Sequence, residues 1–204
     1  MAVINEIKKK LSGREIGFTA EGVVRHFSIL VPFVLKDGEY YLLFEERSKN
    51  ISQSSDICFP GGRVEINESY EYAAIRETHE ELLIDMEDVE ILGPLDLYIA
   101  HDNIIVHPFL GILHNYEETF FEDEVANIHY VSLTELLNHE PDVYGGKLTL
   151  QLDENFPYSR IAGGRNYAWR EGSRKILFYN FDDLTIWGMT AMILRNALNL
   201  IKSI

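Results

Sequence analysis

Residues Gly62 to Leu82 read GRVEINESYEYAAIRETHEEL, and their spacing governs how the rest of the chain is read. From Ser69 to Leu82 there is no proline or glycine, so a helix runs uninterrupted, with Asn67 as the candidate N-cap. At about 3.6 residues per turn, Glu77 and Glu81 lie one turn apart on one face, with Glu80 about 60° to the side. Ile75, Thr78 and Leu82 form the opposite stripe, expected to face the core. Like charges at i,i+4 weaken a helix by about 0.2–0.5 kcal/mol per pair, so such a stripe is best retained where a cation neutralises it. Oxygen-only ligands suit Mg²⁺ or Mn²⁺ and not zinc. These ions bind phosphates, polarise phosphoryl oxygens and lower the pKa of bound water. The stripe alone therefore points to metal-assisted phosphoryl chemistry.

Three glutamates in an acidic protein can also be a solvated face. That reading does not explain the full pattern of Gly62, Glu68, Arg76, Glu77, Glu80 and Glu81. At average residue usage, six such fixed positions arise by chance in about one chain in a hundred thousand.

The remaining bulk properties narrow the partners. The 204 residues suffice for one well-buried domain, and 46% apolar content supports a packed core. A net charge of −15 argues against nucleic acid as partner, because phosphate backbones need a basic surface. It leaves a small anionic substrate open, since bound metal inverts the local charge. No long uncharged apolar run is present, so no membrane span is expected. The N-terminal MAVINEIKKKLSG has no apolar core for a signal peptide. The single cysteine, Cys58, cannot form an internal disulfide and fits a cytoplasmic setting. A homodimer stays open.

Along the chain, residues 4–11 suit a short leading helix. His26–Leu35 reads as a buried strand that turns at Lys36-Asp37-Gly38-Glu39 into a partner strand, Tyr40–Phe44. Residues 48–57 are loop-like. Val89–Ile99 and Ile104–Leu113 read as two strands, and Ile128–Val131 as a short strand before a helix at Ser132–Asn138. A strand near Ile176–Tyr179 and a helix from about Leu184 to Leu200 close the chain. The irregular alternation predicts the mixed α/β (α+β) class, with a mixed sheet between helices.

The Gly62–Leu82 stretch resembles the Nudix box, which implies a Nudix-type α/β/α sandwich with a mixed central sheet, acting on phosphoanhydride bonds. By that resemblance Glu77, Glu80 and Glu81 are the metal-binding glutamates, with Mg²⁺ or Mn²⁺ as cofactor. Gly61 is the glycine whose carbonyl completes a metal site, and Arg76 pairs with Glu68 to brace the loop. Two positions depart from the box: Thr78 replaces a larger aliphatic residue and Leu83 replaces glycine. Leucine takes the left-handed cap conformation only at about 1–2 kcal/mol, so the helix is expected to run on or end differently.

Flanking segments resemble the coenzyme A pyrophosphatases of the superfamily. These are LLFEERS (Leu42–Ser48) and DICFPGG (Asp56–Gly62) upstream, with Ser55 and Asp56 where the subgroup has glycine and glutamate. Downstream stand EDEVANIHYVSLTELL (Glu122–Leu137) and IWGMTAMIL (Ile186–Leu194). The resemblance covers roughly residues 25–138 and 180–200. It implies one domain over 1–204, with an N-terminal extension at 1–22 and a variable segment at 140–178. It also implies hydrolysis of CoA or acyl-CoA to 3′,5′-ADP and 4′-phosphopantetheine or its acyl form. Other Nudix substrates such as ADP-ribose, NADH or nucleotides stay open, as does a Nudix-fold binding module without catalysis.

In that subgroup a later loop supplies a fourth carboxylate. Glu124 is the first candidate for ligand or general base, ahead of Glu118 and Glu122. Arg47 and Arg63 are the candidate phosphate-binding residues. Arg160, Arg165, Arg170, Arg174 and Lys175, interleaved with Tyr167 and Trp169, form either a nucleotide clamp or an exposed hairpin. Trp187 is expected to anchor the core, Cys58 to be a small buried hydrophobe, and His79 to face outward. His101, Asp102 and His107 match no ligand spacing and are taken as strand-end residues.

Overall fold

The computed structural model describes residues 2–14, 17–19, 22–50, 53–100 and 103–203. Its central strand is β1 (Arg25–Lys36), whose residues 30–34 are all buried. Asp37 and Gly38 both take positive φ (49° and 82°), the geometry of a tight turn that matches strand twist. β2 (Glu39–Arg47) therefore folds back antiparallel, with Lys36 opposite Glu39. On its other side β1 pairs parallel with β7 (Ile104–Leu113). Short strands β3 (Ile57–Cys58) and β4 (Gly61–Arg63) join β2 and β1. β5 (Val89–Pro94) and β6 (Tyr98–Ile99) pair with β7, and β8 (Val125–Ser132) with β2. The result is one mixed eight-stranded sheet.

Alternation along β1 and β2 sorts the core into two layers. Leu30, Val34 and Leu43 pack with Ala74 and Leu82 of α2 (Tyr70–Leu82) on one face. Ile29, Val31, Phe33, Leu42 and Phe44 face the other way. There they meet α4 (Gly188–Lys202) and a second, three-stranded sheet. That sheet comprises β9 (Asp142–Leu148), β10 (Gly172–Phe181) and β11 (Leu184–Trp187). Helices therefore flank the central sheet on both faces. Two smaller helices complete the chain, α1 (Ala2–Leu11) and α3 (Leu133–Asn138), the latter capped by Ser132. Among the described residues, no helix is long and apolar enough to cross a membrane.

Several elements differ from the sequence expectations. The cap of α2 is Ser69, whose Oγ accepts from Tyr72 N at 3.2 Å, while Asn67 sits earlier in a turn with φ 65°. α2 does stop at Leu82, with Leu83 left-handed at φ 53° and ψ 32°. Leu83 is exposed, so packing does not offset the strain locally; instead Thr119 Oγ1 and Phe121 N donate to the free carbonyls of Leu82 and Glu81. The expected strand at Val89–Ile99 is two strands, broken at Leu95, which turns into the core. The expected helix from Leu184 begins as strand β11, because Ile186 pairs with Tyr179 before Gly188 (φ 65°) redirects the chain. Trp187 is consequently not a core anchor. It lies half-exposed on the outer face of β11, stacked on Phe178 at 5.8 Å.

His107 is not a strand-end residue either. It lies inside β7, opposite Ser28, with its ring stacked 3.5 Å from Tyr70 and its Nε2 2.9 Å from His26 Nδ1. Burial and the neighbouring His26 lower its proton affinity. His101 and Asp102 lie outside the described residues.

Candidate active site

α2 is held against the sheet by Ala73, Ala74, Thr78 and Leu82, all fully buried. Thr78 fits there because its Oγ donates to the Ala74 carbonyl one turn back, at 2.7 Å. This fixes the rotation of the helix and turns Glu77, Glu80 and Glu81 towards the loop that precedes it. Arg76 ties that loop down. Its Nε and Nη2 donate to the two oxygens of Glu68 at 2.7 and 3.0 Å, a bidentate fork. Nη2 also reaches the Arg63 carbonyl at 3.1 Å, and Nη1 spans Glu77 at 2.8 Å and Glu80 at 3.1 Å. The guanidinium holds the Glu68 carboxyl below its ordinary pKa.

Two glycines make room for these carboxylates. A side chain on Gly61 would collide with the Ser28 carbonyl and, at 2.6 Å, with Ile29 Cα, and φ there is 149°. A side chain on Gly62 would occupy the space of the Glu77 carboxylate itself. With the backbone this close, Gly61 N donates to Glu81 Oε2 at 2.7 Å.

Glu81 is 7% exposed, and burial together with the charges of Glu77 and Glu124 pushes its pKa up to about 8 against the Gly61 hydrogen bond. Burial also raises Glu77, with Arg76 opposing. Glu124 comes from the loop after β7. That loop is fastened by Thr119 and Phe121 to the end of α2, and by Ser48 N to the Glu124 carbonyl at 2.8 Å. Its charge is felt at Glu45, Glu77 and Glu81. Glu118 is drawn off to an ion pair with Lys36.

The arginines divide. Arg47 is partly buried beside the carboxylates, where its charge lowers the proton affinities of Glu45, Glu81 and Cys58. Arg63 is exposed and lines a cavity of about 240 Å³ with His26, Glu65, Glu68 and Tyr70. In the 160–175 segment, Arg165 sits over the Tyr158 ring and Arg174 donates to the Tyr98 hydroxyl. Tyr167 and Trp169 pack on each other at 4.8 Å. Cys58 is largely enclosed, with burial pushing its thiol well up. His79 is half-buried, its Nδ1 2.6 Å from the Ile84 carbonyl.

Sequence reasoning missed Glu45. It is 2% exposed in the middle of β2, and its Oε1 has no hydrogen-bond partner. The available signal was a charged residue directly after the apolar run Leu42–Phe44; the structure buries it because β3 and β8 flank β2 at that position.

The donor chemistry fits a hard divalent ion. The carboxylates of Glu77, Glu80, Glu81 and Glu124 and the Gly61 carbonyl offer oxygen only, and a buried carboxylate oxygen lacks any partner. As placed, no three histidine, cysteine, aspartate or glutamate side chains among the described residues converge on one ion. Arg76 engages Glu77 and Glu80 while the Gly61 amide engages Glu81.

The fold and this braced glutamate helix define a class, and comparison with known proteins supplies its name. The NUDIX domain model matches residues 24–151, and the chain belongs to the Nudix hydrolase family, which acts on phosphoanhydride bonds. Hydrolases of this family generally use divalent ions such as Mg²⁺ or Mn²⁺. Among relatives, the chain is 30% identical over 158 residues to the mouse peroxisomal coenzyme A diphosphatase NUDT7, matching 76% of this chain and 66% of that protein. It is 27% identical to Nudix hydrolase 3 of Caenorhabditis elegans, over 86% of this chain and 72% of the relative. A MutT/nudix family protein from Enterococcus faecalis shares the fold, with a TM-score of 0.50 at 16% identity, over 98% of this chain and 70% of that one.

Proposed function

We propose that the chain is a divalent-cation-dependent diphosphate hydrolase whose substrate is CoA or an acyl-CoA, cleaved to 3′,5′-ADP and 4′-phosphopantetheine or its acyl form. The observation that carries the reaction class is the Arg76 fork. It fixes Glu68, Glu77 and Glu80 together, beside a buried Glu81 and the loop of Glu124. The substrate half rests on the similarity to the mouse CoA diphosphatase.

In this reading Glu77, Glu80, Glu81 and the Gly61 carbonyl hold Mg²⁺ or Mn²⁺. Bound there, the ion supplies Lewis acidity and neutralises diphosphate charge. The chain's own residues do the remaining work. Arg76 keeps the carboxylates in position from behind, and its loss would act through them. Arg47 and Arg63 hold substrate phosphates on either side of the glutamates. Glu124, on the exposed side of the cluster, accepts the proton of the attacking water. The water oxygen bonds to phosphorus, the bridging P–O bond breaks, and the departing phosphate carries the electron pair away.

The test is a substrate panel in Mn²⁺, read by product identity. CoA should yield 3′,5′-ADP and 4′-phosphopantetheine. Cleavage of ADP-ribose, NADH or nucleotides with CoA untouched would overturn the substrate assignment. No cleavage of any diphosphate would leave a binding module.

A further inference from the structure

Glu45 is a carboxylate that nothing in the α2 motif requires. β2 buries it completely between β3 and β8, on the same face as Leu43, which packs in one cluster with residues of α2. Opposite it in the ladder stand Cys58 on β3 and Ile128 on β8. Glu81 approaches from α2 and Glu124 from the loop after β7, and Arg47 is the cation near them. One arginine thus faces three carboxylates. An uncompensated buried carboxylate costs several kcal/mol, and a residue of the same shape without the charge would avoid that cost. Cys58 does not relieve it, because its thiol is itself held protonated by burial and by Glu45 and Glu81. Glu45 Oε1 is left without any partner. A cation that accepts oxygen donors, already attracted by Glu81 and Glu124, would satisfy that oxygen as a carboxylate.

We propose that Glu45 is a further ligand of the divalent-cation site, supplying with Glu81 an oxygen-donor position on the sheet side of the α2 glutamates. This rests on the metal-dependent reading above and extends it from the helix to strand β2. It gives the buried oxygen a partner and places a ligand on the rigid sheet, where the ion's position no longer depends on α2 alone.

The experiment is direct Mn²⁺ binding to the full chain, followed by the electron paramagnetic resonance of free Mn²⁺ and by calorimetry. It compares wild type, Glu45→Gln, Glu45→Asp and Glu77→Gln. Glu45→Gln keeps the shape and removes the charge. It should weaken Mn²⁺ binding by at least about 30-fold while the metal-free protein melts at the same or a higher temperature. Glu45→Asp withdraws the carboxylate by one methylene and should also weaken binding, which keeps the test open if one variant folds poorly. Wild-type affinity and stoichiometry in both Glu45 variants, with binding lost in Glu77→Gln, would overturn this proposal and leave the α2 metal site standing. No Mn²⁺ binding by the wild-type chain would overturn both.

Discussion

The two faces of the central sheet are built to different rules. The α4 face buries Leu177, Tyr179, Ile186, Leu194 and Leu198, and a buried polar group there, Thr190, is satisfied by the Ile57 carbonyl at 2.9 Å. The α2 face buries Glu45, Glu81 and His107 as well as its apolar residues. Buried carboxylates oppose folding, whereas buried leucines and isoleucines favour it by about 1.5–3 kcal/mol each. One face supplies stability and the other spends part of it on holding charge in place, a local inconsistency expected at functional sites.

Paired substitutions sharpen that contrast. Glu81→Gln should lower kcat by about a thousandfold, equal to about 4 kcal/mol of transition-state stabilisation, while leaving the metal-free melting temperature unchanged or raised. Ile186→Ala on the opposite face should do the reverse: unfolding free energy should fall by about 2–5 kcal/mol, with turnover per folded molecule retained. Steady-state kinetics beside denaturant titrations decide the pair. A Glu81→Gln enzyme with wild-type turnover would remove the site from α2.

A pH scan reads the same contrast without mutation. The folded Glu81 has a pKa of about 8 against an ordinary 4.5, so the folded chain holds that proton more tightly than the unfolded chain. Its contribution to stability is complete below the unfolded pKa and is lost as pH rises through the folded one. In chelator, melting temperature should therefore fall between about pH 5 and about pH 8. Added Mn²⁺ should flatten that fall. A melting temperature that rises across this window in chelator would contradict the buried-carboxylate picture.

The smallest expected effect lies where α2 ends. Leu83 is left-handed and exposed, so Leu83→Gly should stabilise the chain by about 0.5–1 kcal/mol. A slightly raised denaturation midpoint with unchanged kinetics would show that this departure from the family box is a matter of stability alone. A destabilised variant would mean that the exposed leucine makes a contact worth more than its backbone strain.

Much of the fold was legible because it is written in local patterns. The β1–β2 hairpin follows from an apolar run and the Asp37-Gly38 turn, and α2 from an unbroken stretch without glycine or proline. The end of α2 is not legible locally, because the penalty at Leu83 is met by tertiary partners of the Leu82 and Glu81 carbonyls, Thr119 and Phe121. The strand identity of β11 comes from pairing with β10, about which nearby residues say nothing. The size of Trp187 suggests a core position, yet strand alternation sends its neighbour Ile186 inward and turns Trp187 out.

By itself, the sequence determined the order and spacing of the charged groups: Arg76, Glu77, Glu80 and Glu81 lie on one helical segment, whose geometry alone brings them together, and Glu68 stands just ahead of its cap. Only the tertiary structure decided which groups from distant segments join them. Gly61 reaches Glu81 because β4 pairs with β1 beneath the helix. Glu124 arrives because its loop caps α2, and Glu45 because β2 lies beside β1 in the sheet that α2 covers. Burial and the loss of hydrogen-bond partners are properties of packing, so the most unusual group of the site, the partnerless oxygen of Glu45, stays invisible until the sheet is assembled.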